Sequence, residues 1–219
     1  MTAALHRVST VEAVAGALRA RILEGDAPGG ERLREQELCD AYGVARHSVR
    51  AALRALAAEG LVELEPNRGA CVAFLGREQM REVYELRTAL EVEAARLALE
   101  RSGGRLPPAV HAAARDLQAT CARRRATWRQ IMDAHDAVHS AIVAASRSRR
   151  IRAAHAALAV EQRLYLMGIK PSWPPERMAA DHVALVAGLE SRGPEALRDH
   201  LSEAAAALGL EPVRSSAAR

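Results

Sequence analysis

From about Glu78 onward the sequence sets apolar residues at helical spacing in run after run, with short Gly, Ser and Pro breaks between them. The runs cover about Glu78 to Arg101, Pro108 to Arg124, Trp128 to Ala145, Arg150 to Gly168, Pro175 to Glu190 and Pro194 to Leu208. A helical period held over such lengths would scatter its apolar residues over both faces of a strand, so a bundle of six helices is expected. The breaks fall at Ser102-Gly103-Gly104, around Arg125-Ala126, at Ser146 to Ser148, at Lys170-Pro171-Ser172 and at Arg192-Gly193-Pro194. Hydrophobic residues make up 49% of the chain but aromatics only 3%, which suits helices filled with Ala and Leu and excludes a disordered chain. No uninterrupted apolar stretch approaches the ~18 residues of a membrane span, and Met1 to Thr10 lacks a leader-like apolar run, so neither span nor leader is expected.

The first 76 residues follow another pattern. Val11, Val14, Ala15, Leu18 and Ile22 define a helix from about Val8 to Leu23, with Ser9 or Thr10 as cap and Gly25 as stop. After the turn-rich Gly25 to Gly30, Leu33 to Tyr42 reads as a short helix ended by Gly43. A third helix, Arg46 to Ala58, carries Val49, Ala52, Leu53, Leu56 and Ala57 on one face. Leu61 to Glu65 and Ala70 to Phe74 are β-prone runs around the turn Pro66 to Gly69. Helix, short helix, Gly turn, helix and hairpin make a winged helix-turn-helix. The expected architecture is mostly α: a winged helix-turn-helix over 1–76, then an all-α bundle over 77–219.

Charge has to be read locally. The chain carries a net +4, but residues 1–76 hold 9 arginines against 10 acids, so gross charge marks no nucleic-acid-binding half. Clustering does. The helix after the turn is the one that enters the major groove, and Arg46, His47, Ser48 and Arg50 are donors at its N-terminal end, with no acid between Asp40 and Glu59. Arg68 sits at the hairpin tip, within reach of backbone or minor groove. A solvated helix face is the alternative reading of these arginines. The cysteines, Cys39, Cys71 and Cys121, are widely spaced, which indicates neither a disulfide framework nor a zinc ribbon and fits a reducing cytoplasm.

The wording of the head goes beyond its layout. Ile22-Leu23-Glu24-Gly25, Pro28-Gly29, Leu33-Arg34-Glu35, Gly43-Val44, Val49-Arg50, Leu53, Glu59-Gly60-Leu61-Val62 and Gly69 closely resemble the DNA-binding domain of GntR-family transcription regulators. The resemblance implies DNA contacts at Arg34 and Gln36 on the second helix, at Arg46, His47, Ser48 and Arg50 on the third, and at Arg68 and Gly69 in the wing. Ala45 departs from the family's usual Ser or Thr, and His47-Ser48 replaces a common Thr-Pro, which removes a capping or phosphate contact and alters base preference.

The second half resembles the FCD ligand-binding bundle of the family's FadR-type branch, in Arg87-x3-Glu91, Val138-His139, Asp181-His182 and Asp199-His200-Leu201. Geometry allows the histidines to meet. His135 and His139, four apart, share a helix face with Met132, Ile142 and Val143, so they point inward. His182 and His200 flank the break at Ser191 to Pro194, and folding antiparallel there brings them within a few ångströms of the same height at ~1.5 Å per residue. Four imidazoles suit Zn²⁺ or Ni²⁺ better than Mg²⁺ or Ca²⁺. The family's usual first ligand is Asp or Asn, where this chain has His135, with Asp136 one place on as the alternative ligand; an all-His set favours an anionic effector. Arg87 is the candidate for pairing with an effector carboxylate, the alternative being an ion pair with Glu91. Trp128, Tyr165 and Trp173 are either pocket-lining residues or core anchors, and His6, His111 and His155 read as ordinary surface or core residues.

The resemblance implies a cytoplasmic, homodimeric transcription regulator, a repressor, that reads a two-fold operator in double-stranded DNA and answers to a small organic acid. A metal-independent sensor is a second reading. A metallohydrolase is a third, disfavoured because no general base lies in a Glu-x-x-His context and the head would go unexplained.

Overall fold

The computed structural model describes residues 9–65, 68–168 and 174–210. Its elements are α1 (Thr10–Glu24), β1 (Arg32–Leu33), α2 (Glu35–Tyr42), α3 (Arg46–Ala58), β2 (Val62–Glu65), β3 (Gly69–Val72), α4 (Arg77–Arg101), α5 (Pro108–Cys121), α6 (Trp128–Ala145), α7 (Arg149–Gly168), α8 (Pro175–Arg192) and α9 (Glu195–Ala207). Two compact units divide between Leu75 and Gly76, with Arg163–Gly168 grouped with the first. His6 and Trp173 lie outside the described residues.

In the first unit α1 and α3 pack through Val14, Ala15, Leu18 and Ile22 on one side and Val49, Ala52, Leu53 and Leu56 on the other, all nearly inaccessible. Ser9 caps α1 by accepting from the Glu12 amide at 3.1 Å. Arg19 of α1 grips Glu59, just past α3, with Nε and Nη2 at 2.7 and 2.6 Å from its two oxygens. Gly43, at φ 63°, makes the left-handed turn that swings the chain from α2 into α3. The wing is an antiparallel sheet in the order β1-β3-β2, with Leu33 opposite Ala70 and Val62 opposite Val72. Strand β1 replaces the start of the helix expected from Leu33. Two residues carry no periodic signal, and they become a strand because β3 offers its free edge to them.

The second unit takes in α4, α5, α6, α8, α9 and α7 as far as Gln162, around a core of Val, Leu, Ile, Met and Ala side chains. Helix α6 packs on α4 and α5, α8 packs on α5 and α9, and α9 packs on α4. A capping box starts α6: Thr127 Oγ1 accepts from the Gln130 amide, and the Thr127 amide donates to Gln130 Oε1. The face it aims inward holds Ile131, Met132, His135, Val138, His139, Ile142 and Val143. Helices α8 and α9 form a close hairpin, clamped by Arg192 on Asp199 at 2.8 Å. A Cβ at Gly188 would lie 3.1 Å from that of Ala196, so the two backbones approach there as closely as a glycine permits. Among the described residues no helix is long and apolar enough to cross a membrane.

Candidate functional site

Helix α3 begins without a side-chain cap, because Ala45 at the N-cap offers no oxygen. Behind it Arg46, His47 and Arg50 are exposed, whereas Ser48 is only 6% exposed and lies beneath the row. The charges are not unopposed, as the acid-free stretch from Ala41 to Ala58 suggests in sequence. Glu35 arrives from α2, and both its oxygens accept from Arg50 Nε, at 2.8 and 3.0 Å, while Arg46 Nε stands 3.7 Å away. Arg46 also donates to Gln36 Oε1 at 2.9 Å, and Gln36 donates to Asp40. Arg34 is exposed and pairs with Glu37 at 2.8 Å. Arg68 and Gly69 are exposed at the start of β3, Gly69 at φ 88°, and the Arg68 carbonyl accepts from Arg32. The residues expected at DNA are thus exposed, Ser48 excepted, and Arg34, Gln36, Arg46 and Arg50 among them are already paired.

In the second unit the four histidines singled out in the sequence come together. The candidate ligand nitrogens of His135, His139 and His182 lie within 4.8 Å of one another. His200 flanks this set, its ring centroid 4.6 Å from that of His182 and 5.5 Å from that of His139. Hydrogen bonds fix which nitrogens face inward. His139 Nδ1 stands 2.7 Å from Glu91 Oε2, and His182 Nδ1 stands 2.7 Å from the Met178 carbonyl. Both partners are acceptors, so each Nδ1 carries the proton and each Nε2 of the neutral rings carries a lone pair. Those two Nε2 atoms stand 3.1 Å apart. His135 likewise points Nδ1 at Asp136 Oδ1, at 3.0 Å.

This donor set fits a divalent ion. Nitrogens held at about 2.0–2.1 Å from a tetrahedral zinc stand about 3.3 Å from one another; the His139–His182 pair at 3.1 Å is close to that, and the three candidate nitrogens together lie within 4.8 Å. Three of the rings are also kept neutral: burial pushes His139 down to about 4, outweighing Glu91, and pushes His200 down to about 3. Burial and the neighbouring imidazoles push His182 well below its ordinary value. Bare imidazole nitrogens crowded in a dry site repel one another, and a cation relieves that repulsion.

Glu91, which the sequence offers only as an ion-pair partner of Arg87, does more than that. It is fully buried, and it accepts from Arg87 Nε and His155 Nε2 on Oε1 and from His139 on Oε2. Burial alone would raise its pKa, but the Arg87 guanidinium and the two imidazoles hold it well below the usual carboxylate range. Arg87 is 2% exposed and also lies over the Tyr84 ring, 5.4 Å from its centroid. The Arg87–Glu91 pair is visible as an i, i+4 spacing, whereas its contacts with His139 and His155, 48 and 64 residues further on, leave no local signal. His111 bonds Glu190 away from this centre, at 3.1 Å. Trp128 Nε1 is buried and has no hydrogen-bond partner.

Known proteins share both halves of this arrangement. Residues 10–72 match the model of the bacterial regulatory proteins, gntR family, and residues 82–207 match that of the FCD domain. The gluconate operon transcriptional repressor of Bacillus licheniformis is 38% identical over 87 residues, 40% of this chain and 35% of that protein. The chain likewise spans 36% of the HTH-type transcriptional regulator BphR of Paraburkholderia xenovorans, at 40% identity, so these matches cover about a third of the relatives' length. The probable D-xylose utilization operon transcriptional repressor of Paenarthrobacter nicotinovorans is 27% identical over 90% of this chain and 85% of its own. A GntR transcriptional regulator structure from Rhodococcus sp. RHA1 superposes with a TM-score of 0.70 at 28% identity, covering 92% of this chain and 99% of that one.

Proposed function

The chain belongs to the GntR family of bacterial regulatory proteins, with an FCD domain as its second half, and on that premise we propose that it is a cytoplasmic, metal-centred repressor controlled by a small organic acid. The family is one of DNA-binding regulators rather than enzymes. The observation that carries the sensor reading is the pair of bare Nε2 atoms of His139 and His182, set face to face with His135 and His200 around them.

In this reading α3 enters the major groove of a two-fold operator, with Arg46, His47 and Arg50 reading base edges and Arg34, Gln36, Arg68 and Gly69 on the phosphates. Two copies bind as a homodimer, one head to each half-site. His135, His139, His182 and His200 hold Zn²⁺ or Ni²⁺, which supplies a positive centre for an anionic oxygen. Arg87 pairs with the effector carboxylate through its terminal nitrogens, since Nε is taken by Glu91. Effector binding then favours a spacing of the heads that the operator does not accept. Asp136 is engaged by His135 Nδ1, which supports His135 rather than Asp136 as the ligand.

Elemental analysis of protein purified without chelator or affinity metal tests the sensor. About one Zn or Ni per chain, lost in His139→Ala, is expected; an empty wild-type protein would move the reading to a metal-independent sensor. Selection from random-sequence DNA tests the head: a symmetric motif is expected, and no enrichment would defeat the regulator assignment.

A further inference from the structure

Glu91 and His155 lie outside the proposed ligand set, yet they are built into its support. Carboxylate oxygen Oε1 is loaded by two donors, Arg87 Nε and His155 Nε2, the latter at 3.1 Å. Oε2 is left for His139 Nδ1, at 2.7 Å. A carboxylate held on one oxygen by two donors cannot swing, so its other oxygen keeps a fixed direction. That direction decides the chemistry of His139: an imidazole whose Nδ1–H is claimed by an anion presents Nε2 as a lone pair and becomes more basic there.

We propose that Glu91 is the positioning carboxylate of this centre, holding His139 as its Nδ1–H tautomer with Nε2 turned to His182, and that Arg87 and His155 fix Glu91 for that task. The proposal rests on the reading of the histidines as metal ligands. It also gives Arg87 a double role, because the guanidinium that meets an effector carboxylate is the one that aims the oxygen at His139. Effector and metal then bind with coupled free energies, each changing the affinity for the other by the same factor.

The test uses the full chain, metal-free, as wild type and as Glu91→Gln. Nitrogen NMR of the imidazoles, with His139→Gln to identify the resonances, reads the tautomer directly in the wild type. His139 is expected protonated on Nδ1, the form less populated in free imidazole; protonation on Nε2 overturns the proposal and needs no variant that folds. Zinc titration against a competing chelator is expected to show a 10–100-fold weaker Kd for Glu91→Gln. Equal affinity in a folded Glu91→Gln protein overturns the proposal, because a purely structural carboxylate would move the melting temperature and leave tautomer and affinity alone. If the wild type takes up no zinc, the metal reading fails, and the tautomer still decides whether Glu91 aims His139.

Discussion

His139 and His182 meet through their Nε2 atoms at 3.1 Å, although 43 residues separate them in the chain. Each is turned to the meeting by a bond on its far side, to Glu91 and to the Met178 carbonyl. A ligand that binds only this folded arrangement adds RT ln(1 + [L]/Kd) to stability, about 4 kcal/mol at a thousandfold excess over Kd. Zn²⁺ or Ni²⁺ is therefore expected to raise the melting temperature by several degrees, with reversal by chelator. His182→Ala should abolish the rise, and an unchanged rise in that variant would place the metal elsewhere.

Arg50 is exposed on α3, with its Nε on Glu35. Arg50→Ala is expected to cost about 1–3 kcal/mol in operator binding and to relax sequence preference, read by fluorescence anisotropy on a selected site beside a scrambled one. Retained affinity and preference would remove this helix from the interface.

Glu35 opposes Arg50 and Arg46 from α2. Glu35→Gln is expected to raise affinity for DNA of any sequence and to steepen its dependence on log[salt] by about one. Salt titrations that superpose for the two proteins would show that these arginines do not meet phosphate or base.

Helix α3 starts on Ala45 with no oxygen to accept from its first amides. Ala45→Ser is expected to stabilise the chain by about 1 kcal/mol, measured as a higher urea midpoint at unchanged slope. A midpoint that stays put would mean that solvent already serves those amides as well.

Arg19 holds the Glu59 carboxyl below its ordinary value chiefly through their hydrogen bonds. The lowered folded-state value means that the pair stabilises the chain above the ordinary carboxyl pKa and loses its contribution as pH falls through the lowered one. Both side chains are about a third exposed, so Arg19→Met should cost no more than about 1 kcal/mol at pH 7 and close to nothing at pH 2. Denaturation at the two pH values checks this, and an equal cost at both would assign it to packing.

The helices are legible in the sequence because each runs long enough for its apolar period to show, and most of their breaks carry Gly, Ser or Pro. The hairpin of α8 and α9 is legible too: a short turn leaves an antiparallel return as the natural path, and that path alone brings His182 and His200 level. What is not legible depends on partners chosen in three dimensions. Strand β1 exists through β3, Glu35 reaches Arg50 across the α2–α3 turn, and Glu91 finds His139 and His155 across the bundle. Ser48, a donor in the sequence, is covered by the packing of its own helix.

Helix α5 supplies none of the four clustered histidines, yet it packs on both α6 and α8, the helices that carry His139 and His182. Val110 and Leu117 are fully covered on the helix's inner face. The spacing of α6 and α8, and with it the gap between His139 and His182, therefore depends on the girth of a helix that adds nothing to the cluster itself. Preference among metals at the proposed centre is in this way expected to drift through ordinary hydrophobic substitutions while all four histidines stay the same.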